Sequence, residues 1–250
     1  MAGHSKWANI KHRKAAQDAK KGREFQKHVR AIMVAAREGG GDPAINLRLK
    51  AAIDRAKSVN LPSDSIEKAI KKGTGDLEGV RYEEVAYEGY GSGGIAVLVE
   101  TLTDNRNRTA SEIRHLFSKN GGSLGESGCV SWLFERKGIL FVSGEGLDED
   151  ELLAGCLESG AEDLGKEDGG FTVMTKPSVL SDVREKLQGL GYTVEKAELD
   201  MIPKNYVKVE SREEAARILR FMDTLEDHDD VQNVYSNFDI ADEMIEEIAG

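Results

Sequence analysis

Nine basic side chains fall within the first 30 residues: Lys6, Lys11, Arg13, Lys14, Lys20, Lys21, Arg23, Lys27 and Arg30, against Asp18 and Glu24 alone. Cations at that density neutralise phosphates and release their condensed counterions. Trp7 and the histidines His4, His12 and His28 stand among them. A ring near the start of a basic arm can stack on an unpaired base, or it can staple the arm to the body that follows. A second constellation is Thr103-Asp-Asn-Arg-Asn-Arg-Thr109, read as the link from a strand to a helix. Arg106, Arg108 and the nearby Arg114 offer forked donors there, and backbone N–H groups at a helix start also favour anions. In the competing arrangement Asp104 and Thr109 cap the helix while the arginines pair with local glutamates. No Asp or Glu lies between 105 and 111, which favours a phosphate site.

Other chemistries fail on context. Gly89-Tyr-Gly91-Ser-Gly-Gly94 fits G-x-G-x-x-G, but a strand follows it where a dinucleotide site needs a helix, so the glycines read as a hairpin turn. The P-loop-like stretch from Gly160 to Lys166 continues with Glu167 where Ser or Thr must hold magnesium. The five histidines form no H-x-x-x-H pair and have no cysteine close by. Cys129 and Cys156 read as small core residues, and two cysteines build neither a disulfide framework nor a zinc site. The run Glu226-Asp-His-Asp-Asp230 reads as a solvated acidic loop. Nothing assembles a nucleophile, a base and an oxyanion site, so no enzyme activity, cofactor, metal ion or small-molecule substrate is expected.

Charge is unevenly spread. Residues 1–72 hold 17 Lys and Arg against 7 Asp and Glu, a balance of +10, within a chain whose net charge is −11; the remaining 178 residues therefore carry −21. A basic segment on an acidic body points to a nucleic-acid partner. Apolar runs such as residues 95–99 fall far short of the roughly 20 that span a bilayer, and the N-terminus lacks a signal-peptide apolar core. A cytoplasmic protein without a membrane partner is expected.

The elements that must position these residues follow from periodicity. Phe25, Val29, Ile32, Met33 and Ala36 make a helical stripe that stops at Gly39-Gly-Gly41. Asp42-Pro43 reads as the cap of a second helix through Leu49, Ile53 and Ala56. Asp64 and Glu67 read as the capping box of a third, ended by Gly73. From residue 80 the period becomes that of strands, expected at 82–88, 94–102 and 129–135, with a helix over 105–119. The glycine run 121–128 reads as a mobile loop. Residues 138–202 hold a complete β-α-β-β-α-β set, the ferredoxin-like pattern. Strands at 206–209 and 231–238 flank a helix boxed by Ser211 and Glu214, and are expected to join the strands begun at residue 80. The acidic tail 242–250 is expected to fray.

The segments MAGHSKWANIKHRKAAQDAKKG, TDNRNRT and GGSLGESGCVSWLFERKG resemble the signature segments of the YebC family, and the similarity runs from Met1 to the last strand. Cys129 stands where that family more often has serine or alanine. The resemblance implies an α+β chain: an N-terminal three-helix domain (1–78) followed by two α/β ferredoxin-like domains. The third (138–202) is inserted in the second (79–137 with 203–240). It also implies a non-enzymatic role in gene expression, as a DNA-binding transcriptional regulator. The alternative is a ribosome-associated factor that contacts ribosomal or transfer RNA and helps translation of proline-rich stretches.

Overall fold

The computed structural model describes residues 18–75, 82–144, 147–167 and 169–249. Among the described residues three helices come first: α1 (Asp18–Gly39), α2 (Leu47–Ser58) and α3 (Ser63–Thr74). Ile32, Ala36, Leu49, Ile53, Ile66 and Ala69 meet in their shared core. Gly73 lets α1 and α3 touch, because any Cβ there would strike the Met33 carbonyl and Ala36. The caps differ from expectation. Asp42 only closes a turn onto the Ala44 N–H, and the cap of α2 is the buried Asn46, which accepts from Leu49 N and donates to the Ala35 and Gly40 carbonyls. One amide thus satisfies the end of α1 and the start of α2, which a carboxylate, having no donor, cannot do. Helix α3 follows Pro62 without any side-chain cap, so the expected Asp64–Glu67 box does not form.

β1 (Glu83–Tyr90) and β2 (Ala96–Thr103) form an antiparallel hairpin across the glycine turn, where Gly93 and Gly94 take φ of 72° and 74°. Helix α4 (Arg106–Lys119) follows, then the two-residue β3 (Ser123–Leu124), which pairs with β1. The glycine loop is therefore anchored rather than loose. Its far end is held by Glu88, a carboxylate only 5% exposed, which accepts from the N–H groups of Gly128, Val130 and Ser131 at 2.8, 2.9 and 2.7 Å. These bonds bend the chain through 129–133, so the expected 129–135 strand begins only at Phe134, after a turn and a 3₁₀ turn over Ser131–Leu133.

The second sheet holds β4 (Phe134–Ser143), β5 (Asp163–Glu167), β6 (Gly170–Thr175) and β7 (Thr193–Pro203), in the order β5-β6-β4-β7 and antiparallel throughout. With α5 (Glu149–Ser159) and α6 (Leu180–Gly189) this is the ferredoxin-like order, and Leu140, Leu152, Cys156, Val173, Val183 and Leu187 fill its core. The chain then gives β8 (Val207–Val209), α7 (Arg212–Glu226), β9 (Val231–Ser236), β10 (Phe238–Ile240) and α8 (Asp242–Ala249). Strand β9 pairs with β2, giving the first sheet the order β3-β1-β2-β9. Strand β8 does not join it; it pairs in parallel with β10. Asn237 makes the break by donating its N–H to the Ala96 carbonyl while its own carbonyl takes the Val207 N–H. Nor does the tail fray, because α8 buries Ile245 completely against the core under the first sheet. The architecture is α+β, a helical N-terminal region followed by antiparallel sheets.

Candidate nucleic-acid interface

Asp230, just before β9, organises the end of the first sheet. Its carboxylate is 4% exposed and takes Arg30 Nη1 at 2.9 Å on one oxygen and Arg108 Nη2 at 2.6 Å on the other. The Thr109 and Thr103 hydroxyls approach that second oxygen at 2.7 and 3.2 Å. Burial alone would raise this carboxyl. The hydrogen bonds from Thr109, Arg108 and Thr103, together with the Arg108 charge, outweigh it and hold Asp230 below the ordinary aspartate range. Arg108 also meets Asp104 at 3.1 Å and Glu112 at 3.8 Å. The sequence expectation therefore fails for Arg108. No carboxylate is adjacent in sequence on the 105–111 stretch, but the fold and the flanking positions supply three. Asn105, rather than Asp104 or Thr109, caps α4 by accepting from Arg108 N.

Two arm cations are also spent inside the molecule. Arg30 reaches the Asp229 and Leu102 carbonyls besides Asp230 and lies over the Tyr82 ring, and Lys27 donates to the Glu226 carbonyl. They dock α1 on the 226–230 loop, which is thus a docking element and not a merely solvated acidic run. Glu112, His228 and Asp230 bring one ligand atom each within 4.8 Å of one another, yet their lone pairs are in use. His228 Nδ1 accepts from Asp230 N, its Nε2 faces Glu112 at 2.9 Å, and Asp230 holds two arginines. This corner of the molecule is saturated. A cleft of about 550 Å³ opens beside it, walled by the same side chains with Asp104, Asp227 and Asp229.

The cations left for a partner lie elsewhere. At 100° per residue, Arg106 and Arg114 stand about 80° apart on α4, each about 120–160° from Arg108 and Glu112. Arg106 and Arg114 are exposed there and make no ion pair with a described residue. On the helical unit Lys50, Arg55, Lys57, Lys68, Lys71 and Lys72 are exposed and likewise unpaired among the described residues. Lys68, Lys71 and Lys72 share one face of α3 by their i, i+3, i+4 spacing. These six are visible in the sequence only through the +10 balance of residues 1–72. Burial, joined by the charges of Arg55 and Lys27 and opposed by Glu24, pushes the His28 imidazole below its usual range. Lys6, Trp7, Lys11, Arg13 and Lys14 lie outside the described residues. Lys20, Lys21 and Arg23 belong to α1, with their side chains outside the description.

Two domain profiles match the chain: "TACO1/YebC protein N-terminal domain" over residues 5–76 and "TACO1/YebC second and third domain" over 82–238. The chain belongs to the YebC family. A "probable transcriptional regulatory protein" of Halothermothrix orenii is 57% identical over 250 residues, covering 99% of both chains. One of the same description from Dictyoglomus turgidum is 53% identical over the full length of both. The crystal structure of a conserved hypothetical protein of Aquifex aeolicus superposes with a TM-score of 0.79 at 48% identity, over 90% of this chain and 93% of that one. The sequence resemblance thus holds along the whole chain. Among the described residues no helix is long and apolar enough to cross a membrane.

Proposed function

We propose that this YebC-family chain is a non-enzymatic, cytoplasmic, nucleic-acid-binding regulator of gene expression, acting on DNA as a transcriptional regulatory protein. The observation that carries the reading is the +10 balance of residues 1–72 against −21 elsewhere, together with exposed cations on α2 and α3 that no described carboxylate pairs. A surface of that kind contacts phosphates, while the acidic remainder suppresses indiscriminate capture. The descriptions of its relatives agree with this role. The basic arm, α1 to α3 and the Arg106–Arg114 face of α4 form the contact, and no cofactor, metal ion, membrane or small substrate is needed. The separate cores of α1–α3, of the first sheet and of the second support a division into residues 1–78, 79–137 with 203–240, and 138–202.

A second reading, an RNA- and ribosome-associated translation factor, is favoured by one observation: Trp132 is 62% exposed, and exposed rings recognise unpaired bases more often than duplex. Cross-linking the full chain in cells and sequencing both recovered DNA and recovered RNA separates the two. Promoter DNA enriched over ribosomal RNA supports the first reading; the reverse transfers the assignment to the second. Enrichment of neither overturns both.

A further inference from the structure

Trp132 and Tyr90 stay exposed, 62% and 40%, although each could bury about 150 Å² or more of surface. Both are fixed in place. Trp132 Nε1 and Tyr90 Oη donate to one acceptor, the Cys129 carbonyl, at 3.1 and 3.2 Å. Lys204 Nζ donates to the Trp132 backbone carbonyl at 3.0 Å, and Lys204 N is bonded to the Leu133 carbonyl, so an ammonium is held at the backbone of the loop. Glu88 locks the backbone beneath. Burial opposes its ionisation, but the N–H bonds from Gly128, Val130 and Ser131 overcome this and hold the carboxyl below the usual glutamate range. A buried carboxylate spent on three loop amides fixes how one exposed ring is presented.

We propose that Trp132, with Tyr90 and Lys204, is a stacking platform for an unpaired base of the bound nucleic acid. The proposal rests on the nucleic-acid reading above and adds a second contact to it. The surroundings select a base over a protein side chain. The exposed residues of the loop carrying Trp132 are glycines, serines and Glu126, and among the described residues 121–133 no aliphatic side chain is exposed alongside the ring. A protein-binding anchor would sit in an apolar patch, whereas exposed rings on a loop whose backbone holds an ammonium offer what a base and its phosphate require. The platform and the α4 arginines are separate contacts: α4 packs on the Val97 and Val99 face of the first sheet, and the Trp132 loop on the Ala96 and Leu98 face.

The test is a titration of the full chain, with Trp132→Leu and Trp132→Phe, against a labelled oligouridylate of about 12 nucleotides and against a blunt duplex. Because Trp132 is exposed, all three proteins are expected to melt alike. The expected result is an approximately tenfold loss of single-strand affinity in Trp132→Leu, most of it restored in Trp132→Phe, with duplex affinity unchanged. Equal single-strand affinity for all three overturns the platform and leaves the nucleic-acid reading intact. Loss in Trp132→Leu that Trp132→Phe does not restore, or a change of sedimentation in Trp132→Leu without nucleic acid, shows a protein interface and also overturns it. Binding of neither oligonucleotide by the unsubstituted chain overturns the platform and the nucleic-acid reading together.

Discussion

Replacing Asp230 with asparagine tests the corner that joins α1, α4 and β9. The carboxylate serves Arg30 and Arg108 on different oxygens, so the amide –NH₂ of asparagine must face one guanidinium, donor against donor. Removing one partner of a fully buried ion pair costs about 3–5 kcal/mol. Arg30 and Arg108 are 20% and 44% exposed and recover part of their hydration, which brings the expected loss to about 2–3 kcal/mol. Native-state hydrogen exchange of the most protected amides of β2 and β9 reads it without assuming that the whole chain unfolds in one step. The pH dependence has a fixed sign. A carboxyl whose folded pKa is depressed stabilises fully above its ordinary value of 3.8, and that contribution fades as pH falls below 3.8 toward the lowered folded value. The gap between the unsubstituted chain and the Asp230→Asn variant should therefore hold from pH 7 to about 4 and narrow in stronger acid. A loss under about 0.5 kcal/mol at pH 7, or a gap that widens in acid, would refute the reasoning.

Glu88→Gln turns an amide donor toward one of the three loop N–H groups, at a cost of about 1–3 kcal/mol. Burial and the Glu88 charge keep the Cys129 thiol above its usual range, so this variant should react faster with an aromatic disulfide; an unchanged rate means the loop does not depend on Glu88. Arg108→Ala leaves one oxygen of the buried Asp230 carboxylate to the Thr103 and Thr109 hydroxyls and should cost about 2 kcal/mol in chemical denaturation, whereas Arg106→Ala should stay within about 0.5 kcal/mol. Equal losses would contradict the division of α4 into a paired and an open face.

The helices, both sheets and the ferredoxin-like order were legible because each follows from short-range periodicity and a core that closes on itself. What escaped depends on contacts between residues far apart in the chain. Nothing near Arg108 in sequence reveals Asp230, 122 positions away, so an arginine that looked free is neutralised. The 129–133 segment has strand-like residues, and only the burial of Glu88 beneath it explains why it bends before the strand begins at Phe134. Asn46 outcompetes Asp42 as a cap because it can donate as well as accept, a need set by the carbonyls of Ala35 in α1 and of Gly40 just beyond it. The acidic tail reads as solvated until α7 and the first sheet provide the apolar surface that takes Ile245. In the candidate interface the charge count was visible, and the docking duty of Lys27 and Arg30 was not.

The central claim is that residues 1–72 bind phosphates, and the salt dependence of nucleic-acid affinity tests it most directly. About six phosphate contacts give a slope of log affinity against log salt near −5 for duplex and −4 for a single strand. Lys68, Lys71 and Lys72 replaced together by glutamine should make the slope shallower by about two to three. A slope near zero, or one that the triple substitution leaves unchanged, would contradict the account.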